Sequence, residues 1–255
     1  FMETGLVGRE YEAGRALGRQ IKSRRYEGEP NVLVMYDSGK ERTTEGVSVN
    51  SATLLLDGLG QALKGWPRTA GFGMFTDLQW NPTHQWFDDR IEQGTAMALV
   101  LSGGIRLDTT IIHGCKPASA YHTVTRAEGA TVYEIDGRPA LEVIAELLGP
   151  DSDKGWEDYP LFVTLGVNRG DKFGEYREED YANRLVMAVD RERGALVMFE
   201  PNLKAGTEVQ LMRRSFDLDY VRQRAEDLSR RVGERRPVLG LYIDCAARAS
   251  AFYGT

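Results

Sequence analysis

Two periodicities alternate along the chain. From Gly8 to Ser23, Ala13, Leu17 and Ile21 recur at four-residue spacing, which predicts a helix. Gly14 and Gly18 share its neighbouring face, where the backbone can pack closely against a sheet; each glycine costs about 1 kcal/mol of helix stability that tertiary contact must offset. Asn31 to Tyr36 is a short apolar run that predicts a buried strand, with Asp37-Ser38-Gly39 as its exit. Asn50 or Ser51 then caps a helix carrying Leu55, Leu56, Leu59 and Leu63, which Gly65-Trp66-Pro67 stops. Ala70 to Phe75 resumes as strand. Strand, helix, strand over this span is a βαβ crossover, so the two strands pair in parallel. Ligands gather at the carboxyl ends of such strands, where Asp37 and Asp77 fall.

The middle of the chain reads as strand with two interruptions. Gln79 to Phe87 is a polar and aromatic loop. Thr95 to Leu101 and Ile105 to Ile112 read as a hairpin turning at Ser102-Gly103-Gly104. His122 to Thr125 and Thr131 to Ile135 follow as strands. Asp136-Gly137 turns the chain, and Pro139 opens a helix that buries Leu141, Ile144, Ala145 and Leu148. Beyond it lie four strands, Leu161–Val167, Arg184–Val189, Ala195–Glu200 and Glu208–Arg213. Asp217 to Val232 is an amphipathic helix with Leu218, Val221, Ala225, Leu228 and Val232 on one stripe. Val238 to Ile243 has few polar positions to face water, which predicts a central, buried strand. The fold class is therefore α/β: two packed α/β halves, with mixed, partly parallel sheets flanked by helices.

Composition narrows the function. Apolar residues make up 42% and charged residues 27% of 255 residues, as in an average globular domain, which excludes a disordered tail or a coiled coil. The formal charge of −6 argues against a nucleic-acid partner. The longest apolar run, Ala96 to Leu101, is a strand's length and far short of a membrane span. Two cysteines, Cys115 and Cys245, give no disulfide framework and suit a reducing, cytoplasmic setting. Opening on Phe1, the chain reads as a fragment of something longer.

Catalytic signatures are missing from the pattern: no phosphate loop, no dinucleotide fingerprint, no G-x-S-x-G elbow and no H-E-x-x-H. Neither Cys115 nor Cys245 has a base beside it in sequence. His113, Cys115 and His122 form a small cluster of soft ligands, to be set against a strand-end histidine, a buried thiol and a surface histidine. His84, between Trp80 and Trp86, is either an axial haem ligand or a stacked loop histidine. Arg138 and Arg248 each follow a turn or strand end beside small residues. There a guanidinium clamps a carboxylate or bonds backbone carbonyls.

Four segments in order carry a family resemblance: Gly114-Cys115-Lys116-Pro117, Val124 to Gly129, Ile135-Asp136-Gly137-Arg138-Pro139-Ala140-Leu141, and Leu241-Tyr242-Ile243-Asp244-Cys245-Ala246-Ala247-Arg248. Together they resemble the C-terminal half of the FIST family, with its G-C-x-P turn, D-G-x-P-A helix start and C-x-x-R strand exit. The resemblance implies a partial FIST N-terminal-like domain over 1–113 and a FIST C-terminal-like domain over 114–255, truncated at its end. It also implies a sensory domain of signal-transduction proteins, not an enzyme. Such a domain binds a small ligand, an amino acid or similar metabolite, and relays it to an output partner such as a kinase or cyclase. No cofactor is expected, although relatives that sense nitric oxide through haem make His84, His113 and His122 the haem candidates. A scaffold without ligand is the remaining alternative. A small ligand would occupy an interdomain groove. Asp37, Asp77, Cys115, Arg138, Cys245 and Arg248 would supply its contacts, with Arg248 turned towards Gly114–Pro117.

Overall fold

The computed structural model describes residues 1–43, 46–76, 81–149, 163–214 and 217–245. The chain divides into two compact units, Phe1–Thr109 and Thr110–Thr255.

The first unit begins with β1 (Met2–Glu3), α1 (Glu10–Lys22) and β2 (Asn31–Asp37). A small hairpin, β3 (Gly39–Thr43) with β4 (Gly46–Val49), leads to α2 (Ala52–Leu63) and β5 (Arg68–Met74). A second small hairpin, β6 (Gln85–Phe87) with β7 (Arg90–Glu92), precedes β8 (Ala96–Leu101). The sheet order is β1-β8-β2-β5, with β2 and β5 parallel and β8 antiparallel to β2. The crossover through α2 is thus present as the apolar pattern requires. Ser51 is its cap, accepting from the Leu54 amide at 3.3 Å. Asn50 is instead buried, its amide donating to the Asp37 and Gly39 carbonyls.

Both helices lie over one face of the sheet. Val32, Val34, Tyr36, Ala96 and Ala98 meet Leu17, Ile21, Leu55 and Leu59 there in one core. The glycines of α1 face a helix and not the sheet. A Cβ on Gly14 would stand 2.0 Å from the Leu55 carbonyl oxygen, and one on Gly58 would stand 2.0 Å from that of Tyr11. Three glycines at the crossing, with Gly18 under Ala62, let the two backbones touch. The residues after Ser102-Gly103-Gly104 do not return as a strand. Asn31 holds them as coil, donating to the Leu101 and Ile105 carbonyls and accepting from the Leu107 amide. These contacts pin residues 105–107 beside the start of β2, in place of the expected hairpin.

The second unit starts with β9 (Cys115–Pro117), β10 (His122–Glu128), β11 (Thr131–Ile135), β12 (Arg138–Pro139) and α3 (Ala140–Leu148). It continues with β13 (Val163–Asn168), β14 (Tyr181–Asp190), β15 (Ala195–Met198), β16 (Glu208–Arg214) and α4 (Leu218–Val232). The order β10-β11-β15-β14-β13-β16 returns from β16 to β10, so six antiparallel strands close into a barrel. Asp136 and Gly137 both take positive φ, +53° and +75°, in the two-residue turn between β11 and β12. Ile144 and Leu148 of α3 join Val124, Val132, Ile135, Leu165, Val186, Leu196 and Leu211 in the barrel core.

The end of the described chain corrects the sequence reading. Val238 to Ile243 forms no strand and is not buried: Val238 is 87% exposed, Leu239 81% and Tyr242 83%. The closed barrel leaves no full-length free edge for it to join. Amphipathic α4 forms as expected, yet none of its residues is buried.

Candidate functional site

The segment joining β13 to β14 folds on its own polar side chains. Asn168 accepts from the Gly170 amide at 2.8 Å, and Asp171 accepts from the Phe173 amide at 3.0 Å, both turn-forming contacts. A Cβ on Gly170 would stand 2.5 Å from an Asp180 carboxylate oxygen, so any larger residue would displace the Asp180 side chain. Asn168 also donates to the Tyr121 hydroxyl at 2.7 Å, and that hydroxyl donates to the Lys172 carbonyl at 3.1 Å. The loop is thereby tied to the strand end at Tyr121.

Between loop and barrel lies a cavity of about 200 Å³. Tyr121, Tyr176 and Tyr181 wall it, and Asn168 and Gln210 supply amides. Charge comes from the loop: Asp171, Glu175 and Asp180 against Lys172 and Arg177. The Tyr181 hydroxyl donates to Gln210 Oε1 at 2.7 Å, and Gln210 Nε2 donates to the Ser119 carbonyl at 2.9 Å, which fixes the amide's orientation. Tyr176 donates to the Cys115 carbonyl at 2.5 Å. The Tyr176 and Tyr181 rings stand 5.4 Å apart. Burial raises both phenols far above their ordinary range, so they stay protonated donors. The Lys172 ammonium lies 4.9 Å from the centre of the Tyr121 ring and pairs with Glu208.

Directly behind the cavity wall sits Glu178, 5% exposed. Its Oε1 accepts from the His113 and Gly114 amides at 2.7 and 3.0 Å. Its Oε2 accepts from the Tyr220 hydroxyl, and the Arg224 guanidinium lies 3.5 Å away. Arg224 also donates to the Ile111 carbonyl at 3.3 Å. One buried carboxylate therefore joins the loop, the start of the unit at 111–115 and the first turns of α4. The His113 ring accepts from the Cys115 amide at 2.9 Å, and its Nε2 lies 3.3 Å from the Glu178 carbonyl oxygen. Burial is the largest influence on this imidazole and, helped by Arg214 and Arg224, holds its pKa below the ordinary value against the opposing pull of Glu178.

The described residues singled out in the sequence each have their own local setting. In the first unit, Asp37 is buried, accepting from the Thr83 and Gly94 amides at 3.1 and 3.0 Å. It staples the connection between β5 and β8 to the end of β2. Cys115 is a buried thiol whose carbonyl touches the cavity wall through Tyr176. Arg138 pairs with Glu142 and Glu146 on α3, both at 2.7 Å, so it braces the start of its own helix. Cys245 is exposed at the end of the apolar tail. Asp77 and Arg248 lie outside the described residues, so the turn of Arg248 towards Gly114–Pro117 does too.

The histidines do not fit haem. His84 is exposed, and both His113 ring nitrogens face polar partners. His122 pairs with Asp136 at 2.7 Å, leaving Nε2 without a partner, but none of the three lines the cavity, whose walls are polar. Among the described residues no group of three or more His, Cys, Asp or Glu could hold a metal, and no helix is long and apolar enough to cross a membrane.

The sequence reading passed over Tyr176-Arg177-Glu178-Glu179-Asp180-Tyr181. Its signal was available: aromatic residues interleaved with acids between two strands, where a plain solvated loop would be polar throughout.

Comparison with known proteins agrees with the ordered motifs. The model of the FIST N domain matches residues 3–138, and that of the FIST C domain matches residues 140–255. A 49-residue stretch is 43% identical to an uncharacterized protein of Methanocaldococcus jannaschii, covering 19% of this chain and 10% of that protein. No solved structure matches the chain.

Proposed function

The chain belongs to the FIST family, sensory domains of signal-transduction proteins, and from that premise we propose that it binds a small polar metabolite and relays the event to a signalling output. The observation that carries this reading is the tyrosine-walled cavity, which offers charges of both signs. An amino acid or similar zwitterion would set its ammonium against Asp171, Glu175 or Asp180 and its carboxylate against Lys172 or Arg177. The phenols and amides would fix its orientation. The relay follows from the backing of the wall. A ligand that shifts the loop moves Glu178, and Glu178 holds Tyr220 and Arg224 of α4. We read the chain as a binder without catalysis, working in a reducing cytoplasm where Cys115 and Cys245 remain thiols.

A thermal-shift screen of amino acids and small metabolites tests the reading, because a ligand of the native state raises the melting temperature. Tyr181→Phe combined with Asp180→Asn is expected to abolish the shift. A ligand shift untouched by that pair of substitutions, or no shift with any compound, refutes the cavity as the sensory site.

A further inference from the structure

The neutral donors that line the cavity are committed to the protein itself. The Tyr121 hydroxyl gives its proton to the Lys172 carbonyl, that of Tyr176 goes to the Cys115 carbonyl, and that of Tyr181 to Gln210 Oε1. Asn168 Nδ2 donates to the Tyr121 hydroxyl and to the Asp171 carbonyl, while its Oδ1 takes the Gly170 amide. Gln210 Nε2 donates to the Ser119 carbonyl. What the wall chiefly offers a guest is therefore ring faces and charge.

The rings form a corner. Tyr176 and Tyr181 stand 5.4 Å apart with their planes inclined at 46°, so one cation can lie within ~6 Å of both ring centres. The same wall already attracts a cation of the protein's own, the Lys172 ammonium 4.9 Å from the centre of the Tyr121 ring. The charges differ in what they have left to give. Lys172 is taken by Glu208. Among the described residues neither Asp171 nor Glu175 makes an ion pair, and Asp171 Oδ1 takes only the Phe173 amide. Arg177 meets Glu179 and Asp180 at 3.7 and 3.8 Å, beyond hydrogen-bond length, so its fork can still take a carboxylate.

We propose that this cavity, whose reading as the sensory site the inference rests on, takes a small carboxylate bearing a fully N-methylated ammonium. Tyr176 and Tyr181 form the aromatic corner for the cation, Asp171 and Glu175 supply its counter-charge, and Arg177 holds the carboxylate. A bare ammonium carries three donors that water satisfies and ring faces do not, so moving it against the corner is costly. Methylation removes those donors and spreads the charge over a surface that sheds water readily, which is the kind of cation that aromatic walls hold best. The volume of about 200 Å³, below the ~300–1,000 Å³ of drug-sized pockets, suits so compact a ligand.

Calorimetric titration of the whole chain with glycine, N-methylglycine, N,N-dimethylglycine and N,N,N-trimethylglycine tests this with one variable. Affinity should rise along the series, by roughly tenfold or more from the first member to the last. Tyr176→Phe keeps the ring and should keep that order. Tyr176→Leu should flatten it, and because Tyr176 is 41% exposed the variant should still fold, which circular dichroism verifies. Glycine binding as tightly as its trimethyl form overturns the inference, as does a rising series indifferent to Tyr176→Leu. Neither result touches the cavity as the sensory site if Tyr181→Phe with Asp180→Asn still abolishes binding. If no member of the series binds while another metabolite does so at that pair of residues, the inference alone fails. If no compound binds there at all, both fail.

Discussion

Removing the Glu178 carboxylate should loosen the second unit from inside. In Glu178→Ala the His113 and Gly114 amides lose their shared acceptor, the Tyr220 hydroxyl loses its partner, and Arg224 keeps only the Ile111 carbonyl, at 3.3 Å, and Glu179, at 3.8 Å, of the contacts described above. A buried donor left unpaired costs about 1–3 kcal/mol, and breaking a buried ionic contact from one side about 3–5. These overlap, because solvent reaches part of the gap, so the expected loss is about 3–5 kcal/mol. Glu178→Gln is the sharper variant. Its oxygen can still accept from both amides, and the Tyr220 hydroxyl can reverse to accept from the new NH₂. Only the charge opposite Arg224 is gone, and because Arg224 is 18% exposed and keeps Glu179 and the Ile111 carbonyl, the loss should fall to about 1–2 kcal/mol. Urea unfolding followed by circular dichroism measures both as shifts in midpoint at constant slope. Hydrogen exchange should show α4 opening in the alanine variant while α3 stays protected. If alanine costs under about 1 kcal/mol, or glutamine costs as much as alanine, Glu178 is not the hub described.

Gly58→Ala should destabilise the first unit by about 1–3 kcal/mol despite a helix-propensity gain near 1, because the new Cβ meets backbone and not a movable side chain; a higher urea midpoint would refute the close crossing. The depressed His113 pKa makes its stabilisation complete above the ordinary imidazole value of 6.5 and lost as pH falls through the folded value. Melting temperature should therefore drop below pH 6.5, with a shallower drop in His113→Gln. The Asp37 carboxyl is raised, chiefly by burial, so its contribution is fullest at low pH and fades as pH rises through the folded value. Asp37→Asn, which keeps an acceptor for the Thr83 and Gly94 amides, should match or exceed wild-type stability at pH 7, whereas Asp37→Leu should lose about 2–3 kcal/mol in thermal or urea unfolding.

What was legible in the sequence was what local pattern dictates. The stripe Ala13, Leu17, Ile21 and the run Asn31–Tyr36 fold as they read, since burial of one face decides each. The Asp136-Gly137 turn reads off directly because few residues accept two positive φ values in succession. Val238 to Ile243 failed for the opposite reason. Its composition says that it wants a sheet, but whether an edge is free depends on β10 meeting β16, a pairing between segments nearly ninety residues apart. The site was harder still. Arg138 looks like a ligand clamp until Glu142 and Glu146 are seen to occupy it. Glu178 looks like one more surface acid in an acidic loop until the His113 and Gly114 amides, more than sixty residues earlier, turn up against it. Acid-and-aromatic interleaving marks the loop, but long-range packing alone reveals which acid is inside.

The closed ring of strands has a bearing on how the family's two halves can be separated. The two family matches meet between residues 138 and 140, yet β10 and β11, at 122–135, are neighbouring staves of the ring that β13 to β16 complete. A piece beginning at residue 140 would lack both and bare the sides of β15 and β16 that they cover, two raw hydrogen-bonding edges beside an opened core. A cut near Thr109 leaves the ring whole. The seam between sequence modules and the seam between folding units are thus about thirty residues apart. The last strands matched as the N-terminal half are structurally the gate of the C-terminal one, so recombination at the family seam would break a barrel and not exchange a domain.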